Sequence, residues 1–359
     1  LADGGKAIDT GKAVAVRMDT TVIVVPTIAS NDAPCSGLSV CYNDKGVVCK
    51  VIYGKRNPDI VLVDTEIIAK SPVRLFVSGM GDALSTYPEC RANVQSASPN
   101  YVNSGYHQTI ACIAVSKACH ETILTKGVSA KLAAEQGLCT KDVEDVIEAN
   151  TLLSGLGVQN GSCAGAHSIA EGITVLEPCA KLLHGEVVAF GVLVQLIVEG
   201  APAEELDELY TFFEEVGLPT TFDDLGIPDA TEADIRKVAE TSMHSYWDVE
   251  PFAVNPQMVF DGIMMANTLS GEKEINIYDD VSAKEPKTST DGRVSLSVNR
   301  GKVEGDTNVG GIAGAVSPEL SLDPEENLEL DGENLLVDTT ALLKAILYQC
   351  DNRGPVTAK

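Results

Sequence analysis

Two patterns of apolar residues divide the chain. Up to about residue 70 they come in short β-branched runs. TVIVV at 21–25 and IVLV at 60–63 read as buried strands of a parallel sheet, since a strand covered on both faces need not alternate. Residues 38–42 and 47–53 flank Asn43-Asp44-Lys45-Gly46 and predict a β-hairpin. A helical pattern, AIDTGKAVAVRM, precedes the first strand. Beyond residue 70 the spacing becomes helical. Ser71-Pro72 supplies an N-cap with proline at the first helical position of a segment carrying VRLFVSGMGDALST. Further helices are predicted over 109–126, 129–137, 141–155, 164–176, 184–199, 203–216, 231–245 and 255–269, with joints at Gly127, Gly137, Gly155 and several prolines. An α/β part (1–70) followed by an all-helical part (71–271) predicts a cleft between them.

Composition narrows the function classes. The chain has 359 residues and is 44% hydrophobic, which supports real cores, and its formal net charge is −26. That charge argues against nucleic acid and anionic membrane surfaces, both of which need clustered Lys and Arg. Ten cysteines include no C-x-x-C pair and mostly sit in apolar runs. Buried reduced thiols of this kind point to a reducing cytoplasm. The chain opens LADGGKAIDTGK, without a signal peptide pattern, and its longest apolar stretch, 187–198, contains Gln195 and is too short to span a bilayer.

The chemistry concentrates between Gly155 and Gly191, where His167 and His184 lie among glycines and alanines. Small neighbours leave an imidazole approachable, and imidazole is the commonest protein ligand for a transition metal. The best anionic partner is Asp82, in SGMGDALST. Two histidines and one carboxylate would leave coordination positions open, as catalysis requires. On the residues alone, Asp82 reads equally as a carboxylate satisfied by a backbone or Ser/Thr partner. Near the start, Gly4-Gly5-Lys6 entering a helix can hold a pyrophosphate, or can be an ordinary loop. The polar loop PTIASNDAPCSGLS leaves the carboxyl end of the first predicted strand, where open α/β sheets bind ligands.

The runs GGKAIDTGKAVA, VVPTIASNDAPCSGLSV, NPDIVLVDTEIIAKSPVRLFVSGMGDAL, EANTLLSGLG, GAHSIAEG and LHGEVVAFG resemble the glycerol dehydrogenases of the iron-containing, group III alcohol dehydrogenase superfamily. The resemblance covers about residues 1–271. It implies NAD-linked oxidation of glycerol, or another vicinal diol, to the ketone at a Zn2+ ion. The metal ligands it implies are Asp82, His167 and His184, with Asp32 and His184 contacting substrate. For NAD it implies the turn formed by Gly5, Lys6, Ala7, Ile8 and Asp9, and further contacts from Thr27, Ile28, Ala29, Ser30, Ser36, Leu38 and Tyr42. Iron-using relatives carry a histidine four residues after the aspartate, where this chain has Thr86, which favours zinc. The resemblance further implies a cytoplasmic homo-oligomer.

Family members place further α/β elements before the glycine turn. The expected fold class is therefore an incomplete Rossmann-like nucleotide-binding domain (1–70), an all-α domain (71–271) carrying the metal, and a small β-repeat or disordered tail (272–359). A chain starting at this turn, with Asp3 beside the pyrophosphate, is expected to bind NAD poorly and turn glycerol over slowly or not at all. In the tail, Asn299-Arg300-Gly301-Lys302-Val303 and Asn352-Arg353-Gly354-Pro355-Val356 read as two copies of one unit on either side of an acidic linker, SLDPEENLELDGEN. With NVGGIAG they resemble GLUG-type repeats of bacterial surface proteins. Short strands with glycine corners suit a stacked β-solenoid. Joined to the preceding part, they suggest a chimeric reading frame. Two alternatives stand beside the dehydrogenase: a non-enzymatic surface repeat protein, and an iron-dependent alcohol dehydrogenase of the same superfamily.

Overall fold

The computed structural model describes residues 2–3, 5–42, 48–101, 106–243 and 246–270, together with eight strands of the C-terminal region. The chain forms two compact units, Leu1–Lys273 and Glu274–Lys359.

The first unit opens with β1 (Ala2–Asp3), α1 (Gly5–Met18) and β2 (Ile23–Pro26). A hairpin of β3 (Leu38–Tyr42) and β4 (Val48–Tyr53) follows, then β5 (Ile60–Val61). Strands β1, β2 and β5 form a parallel sheet with β2 in the centre. Ile8 of α1, Val24 of β2 and Ala33 pack into one small core, as the β-branched run requires. The hairpin is antiparallel with an irregularity at Cys41/Tyr42, and its turn, 43–47, lies outside the described residues.

Short helix α2 (Thr65–Ala69) is capped by Asp64, whose carboxylate accepts from the Glu66 and Ile67 amides. Helix α3 (Val73–Ser96) then starts directly after Pro72, which occupies the cap position without a side-chain bond. The rest is helical: α4 (Ile110–Glu135), α5 (Lys141–Glu148), a π-turn (Ala149–Leu153), α6 (Ser154–Gly161) and α7 (Gly165–Ile173). Then come α8 (His184–Glu199), α9 (Ala203–Val216), α10 (Glu232–Ser242) and α11 (Pro256–Leu269). The apolar run expected to be a buried helix is α8, buried from Gly185 to Leu196. No described helix is long and apolar enough to cross a membrane.

Two expected joints are not joints. Helix α4 runs through Gly127, where a Cβ would lie 2.6 Å from the Phe212 ring, so glycine there admits a neighbouring side chain and ends nothing. Gly155 and Gly157 likewise lie inside α6, facing the Cys35 Cβ and the Ser116 hydroxyl.

Helix α3 also continues through Pro88. A proline has no N–H to give the carbonyl four residues earlier, here that of Leu84. His120 of α4 takes that place, its Nδ1 lying 3.1 Å from the Leu84 oxygen. Burial keeps the His120 imidazole below its usual range, so the ring donates as the neutral Nδ1–H tautomer.

Two polar networks dock the sheet's loops onto the helices. The Asn150 side chain, in the π-turn, donates to the Ala29 and Phe76 carbonyls at 3.0 and 3.1 Å. Gln159 of α6 exchanges hydrogen bonds with Asn57 and accepts from the Gly37 amide. Helices α3 and α8 then meet backbone to backbone. A Cβ on Gly185 would come within 1.7 Å of the Ser78 carbonyl oxygen, and one on Gly81 within 2.3 Å of the Gly185 oxygen. Gly185→Ala is therefore expected to cost about 3 kcal/mol, the upper part of the usual overpacking range. It should also loosen the adjacent His184. Chemical denaturation against the unsubstituted chain measures the first, and metal content the second.

The second unit contains four strand pairs among its described residues. β6 (Gly292–Ser295), β7 (Val298–Asn299) and β8 (Val303–Gly305) pair in parallel with β11 (Ala345–Tyr348), β12 (Asp351–Asn352) and β13 (Val356–Ala358). Every partner lies the same interval along the chain, placing Asn299 against Asn352 and Val303 against Val356. That is the stacking expected of two copies of one repeat. The acidic linker is not all linker: β9 (Leu328–Asp331) and β10 (Asn334–Val337) pair antiparallel.

Candidate metal centre

Asp82 projects from the buried middle of α3, His184 is the first residue of α8, and His167 lies in the first turn of α7. The α3–α8 glycine contact sets the first two face to face. Asp82 Oδ1 is 3.3 Å from His184 Nε2 and 3.9 Å from His167 Nε2, and one ligand atom of each residue lies within 4.8 Å of the others. Ligand atoms about 2.1 Å from a tetrahedral centre lie about 3.4 Å apart, so the spacing fits one small divalent cation. The side-chain exposures run from 6% for Asp82 through 14% for His167 to 47% for His184. The carboxylate is thus the floor of the site and His184 its mouth, which leaves a face open to a ligand.

The third imidazole neighbour is a residue the sequence reading did not single out. Glu89 lies two helical turns beyond Asp82 on the same face of α3 and is fully buried. Its Oε2 is 2.8 Å from His167 Nδ1, and its Oε1 accepts from the Ala164 and His167 amides at 2.8 and 3.0 Å. Glu89 therefore caps α7, whose own sequence offers no capping side chain, and holds the His167 ring with Nε2 toward Asp82. Burial opposes a charge on His167, but the Cys163 sulfur and Glu89 carboxylate at Nδ1 raise it well above the usual histidine range. Cys163 is itself a buried thiol pushed above its usual value, so Glu89 carries the effect. Cys163, Glu89 and His167 Nδ1 also fall within ligand distance of one another. The hydrogen bonds already made by Glu89 and the burial of all three groups mark this side as the support of the first cluster.

Glu89→Gln preserves shape but removes the charge that orients the ring. It is expected to weaken metal affinity 10- to 100-fold, the usual cost of losing such a partner, while the far-ultraviolet spectrum stays unchanged. Competition with a chelator measures it.

At Asp82 itself burial works against ionisation, but the His184 and His167 imidazoles and the Asp32 backbone hold the carboxyl below its ordinary range. Asp32 behaves in the opposite way. Burial, with the Asp82 charge added, pushes its carboxyl up to about 6, with Lys12 and the two histidines pulling the other way. The structure thus brings Asp32 to the edge of the metal cluster.

Of the residues expected to hold a dinucleotide, Gly5 to Asp9 form the start of α1, and the others follow β2 in the chain. The helix follows parallel strand β1 directly, and Gly5 leaves room that a Cβ would take from Asn31, 2.5 Å away. Lys6, Ala7, Thr27, Ile28, Ser30 and Leu38 are at least partly exposed nearby. Others are committed inward. Ile8 and Ala29 are core residues, and Asp9 accepts from the Val40 amide and pairs with Lys12. The buried Lys12 ammonium donates to the Ala33 and Ser36 carbonyls and to the Ser36 hydroxyl. Asp9, Lys12 and Ser36 therefore form the strut that fixes the 27–42 loop over the turn. The Tyr42 side chain lies outside the described residues.

Comparison with known proteins bears on this site. The iron-containing alcohol dehydrogenase family matches residues 3–72. A glycerol dehydrogenase of Thermotoga maritima is 46% identical over 266 residues, 74% of this chain and 72% of its own. One of Citrobacter freundii is 42% identical over 268 residues, covering 74% and 73%. The crystal structure of a probable glycerol dehydrogenase from Sinorhizobium meliloti superposes with a TM-score of 0.72 at 41% identity, over 76% of each chain.

Proposed function

The chain belongs to the glycerol dehydrogenases of the iron-containing alcohol dehydrogenase superfamily, and from that membership we propose NAD-dependent oxidation of glycerol to dihydroxyacetone at a zinc ion. The observation that carries the reading is the convergence of Asp82, His167 and His184 at the spacing of three ligands around one cation. In the proposal residues 1–70 serve the dinucleotide, 71–271 supply the metal ligands, and the repeats of 272–359 take no part.

Asp82, His167 and His184 would hold a divalent cation, which when bound would lower the pKa of an alcohol hydroxyl. The chain's own residues do the remaining work. Glu89 fixes the His167 ring before any ligand arrives, and Asp82 is locked between two imidazoles, so the site is preorganised. In the proposal Asp32, whose charge is coupled to Asp82 and both histidines, would accept a hydrogen bond from a second hydroxyl and so favour a vicinal diol over a simple alcohol. The Asp9–Lys12–Ser36 strut holds the 27–42 loop against α1, whose N-terminal amides would hold the dinucleotide phosphates. His184 stands at the exposed rim, where a substrate must pass.

Metal analysis and assay together test the proposal. The expected result is about one zinc per chain, and glycerol-dependent NADH formation that is slow, as poor NAD binding requires, and weaker still with a monohydric alcohol. Iron in place of zinc, with simple alcohols preferred, would transfer the chain to the alcohol dehydrogenases of the superfamily.

A further inference from the structure

One residue beyond Glu89, helix α3 carries a feature that the proposed reaction leaves unused. The Sγ atoms of Cys90 on α3 and Cys112 in the first turn of α4 lie 3.2 Å apart, as free thiols sharing a hydrogen bond. Cys90 is fully buried and Cys112 is 4% exposed. Gly161 of α6 covers the pair: a Cβ there would stand 2.9 Å from the Cys90 Cβ and 3.4 Å from the Cys112 sulfur. Only the absence of a side chain at 161 lets both sulfurs occupy this space. The Ser116 hydroxyl, one turn along α4 from Cys112, also reaches the two sulfurs. Closing the gap to the ~2.05 Å of a disulfide needs about 1.2 Å of travel, within the reach of side-chain rotation and a small helix shift.

We propose that Cys90 and Cys112 are a redox-modified pair, joined by peroxide into a disulfide that ties α3 to α4. One thiolate sulfur attacks the O–O bond of hydrogen peroxide, becoming a sulfenic acid while the other oxygen leaves as water. The partner thiol then displaces the sulfenic hydroxyl as a second water and forms the S–S bond. Two thiols are oxidised and one peroxide is reduced. The hydrogen bond from Cys112 lowers the Cys90 thiol and raises Cys112 in return, which makes Cys90 the attacking sulfur. The exposed surface on the α4 side is two residues from the pair, at Ile110, and peroxide would enter by local opening of the first turn of α4, which the Thr109 side chain caps at the Cys112 amide. The bond would act on the helix that carries both Asp82 and Glu89.

The test uses the full chain, reduced, desalted and treated with hydrogen peroxide, followed by alkylation and peptide mapping without reductant. The expected product links the Cys90 and Cys112 peptides, about 2 Da lighter than the reduced pair, and dithiothreitol restores both thiols. Cys90→Ser and Cys112→Ser should each abolish the link. Should either variant fail to fold, mapping of the unsubstituted chain decides alone. The proposal is overturned if the exposed Cys139 is oxidised while Cys90 and Cys112 remain alkylatable. Sulfinic acids without a link, or a link from either residue to another cysteine, would overturn it equally.

Discussion

Asp82→Asn is expected to leave the chain with far less than one metal ion and to lower glycerol oxidation by roughly a thousandfold, about 4 kcal/mol of transition-state stabilisation. The substitution is nearly isosteric in a site only 6% exposed, so packing against α8 should survive. What is lost is the charge. Asp82 is the sole anion among the three converging residues, and an amide oxygen in its place leaves the cation's charge without a counterpart. Metal content and NADH formation measured on the same sample check the result. A variant retaining full metal and normal rate would show that the two histidines bind without Asp82, and the proposed site would have to be abandoned. Glu177→Gln, at an exposed carboxylate paired only with Lys181, is the control for a general charge effect.

How much of this was legible before the structure depends on what holds each part in place. The helices at 184–199 and 203–216 were readable because local burial alone decides them; strands form at 21–25 and 60–63, but not as the buried strands expected, since Ile23, Ile60 and Leu62 stand exposed. Asp82, His167 and His184 were suggested by residue type and tied together by the resemblance, since no spacing rule links residues that a glycine contact between α3 and α8 and the Glu89 support of His167 bring together. Glu89 was obscured by its neighbour: Pro88 reads as a kink inside the helix just after Asp82, and what happens there depends on His120, far along the chain, which answers the Leu84 carbonyl. A kink at Pro88 leaves it undecided from sequence whether Asp82 and Glu89 share a face. Gly127, Gly155 and Gly157 misled in the same way. Glycine marks either a break or a close approach, and only the partner (Phe212, Cys35 or Ser116) distinguishes them.

The largest effect expected away from the metal is at Glu250. This carboxyl is 5% exposed, and neither of its oxygens has a hydrogen-bond partner of full geometry. Burial first, and then the charges of Glu199 and Glu89, push it up to about 8, against weaker help from the Gly165 amide and Arg91. The folded state thus keeps a proton that the unfolded state releases at about 4.3. A group raised in this way contributes its stability in full below the unfolded value and loses it as pH rises through the folded one. Between about pH 4.5 and 8 the folded chain should therefore weaken with rising pH, by on the order of 3 kcal/mol from this group at pH 7. Glu250→Gln removes the titration and keeps the shape. The variant should be the more stable protein at pH 8 and should lose most of its advantage at pH 5. Denaturant midpoints across that range decide the matter: parallel pH profiles for the two proteins would mean that Glu250 is ionised in the fold, held by a partner stronger than the Gly165 amide.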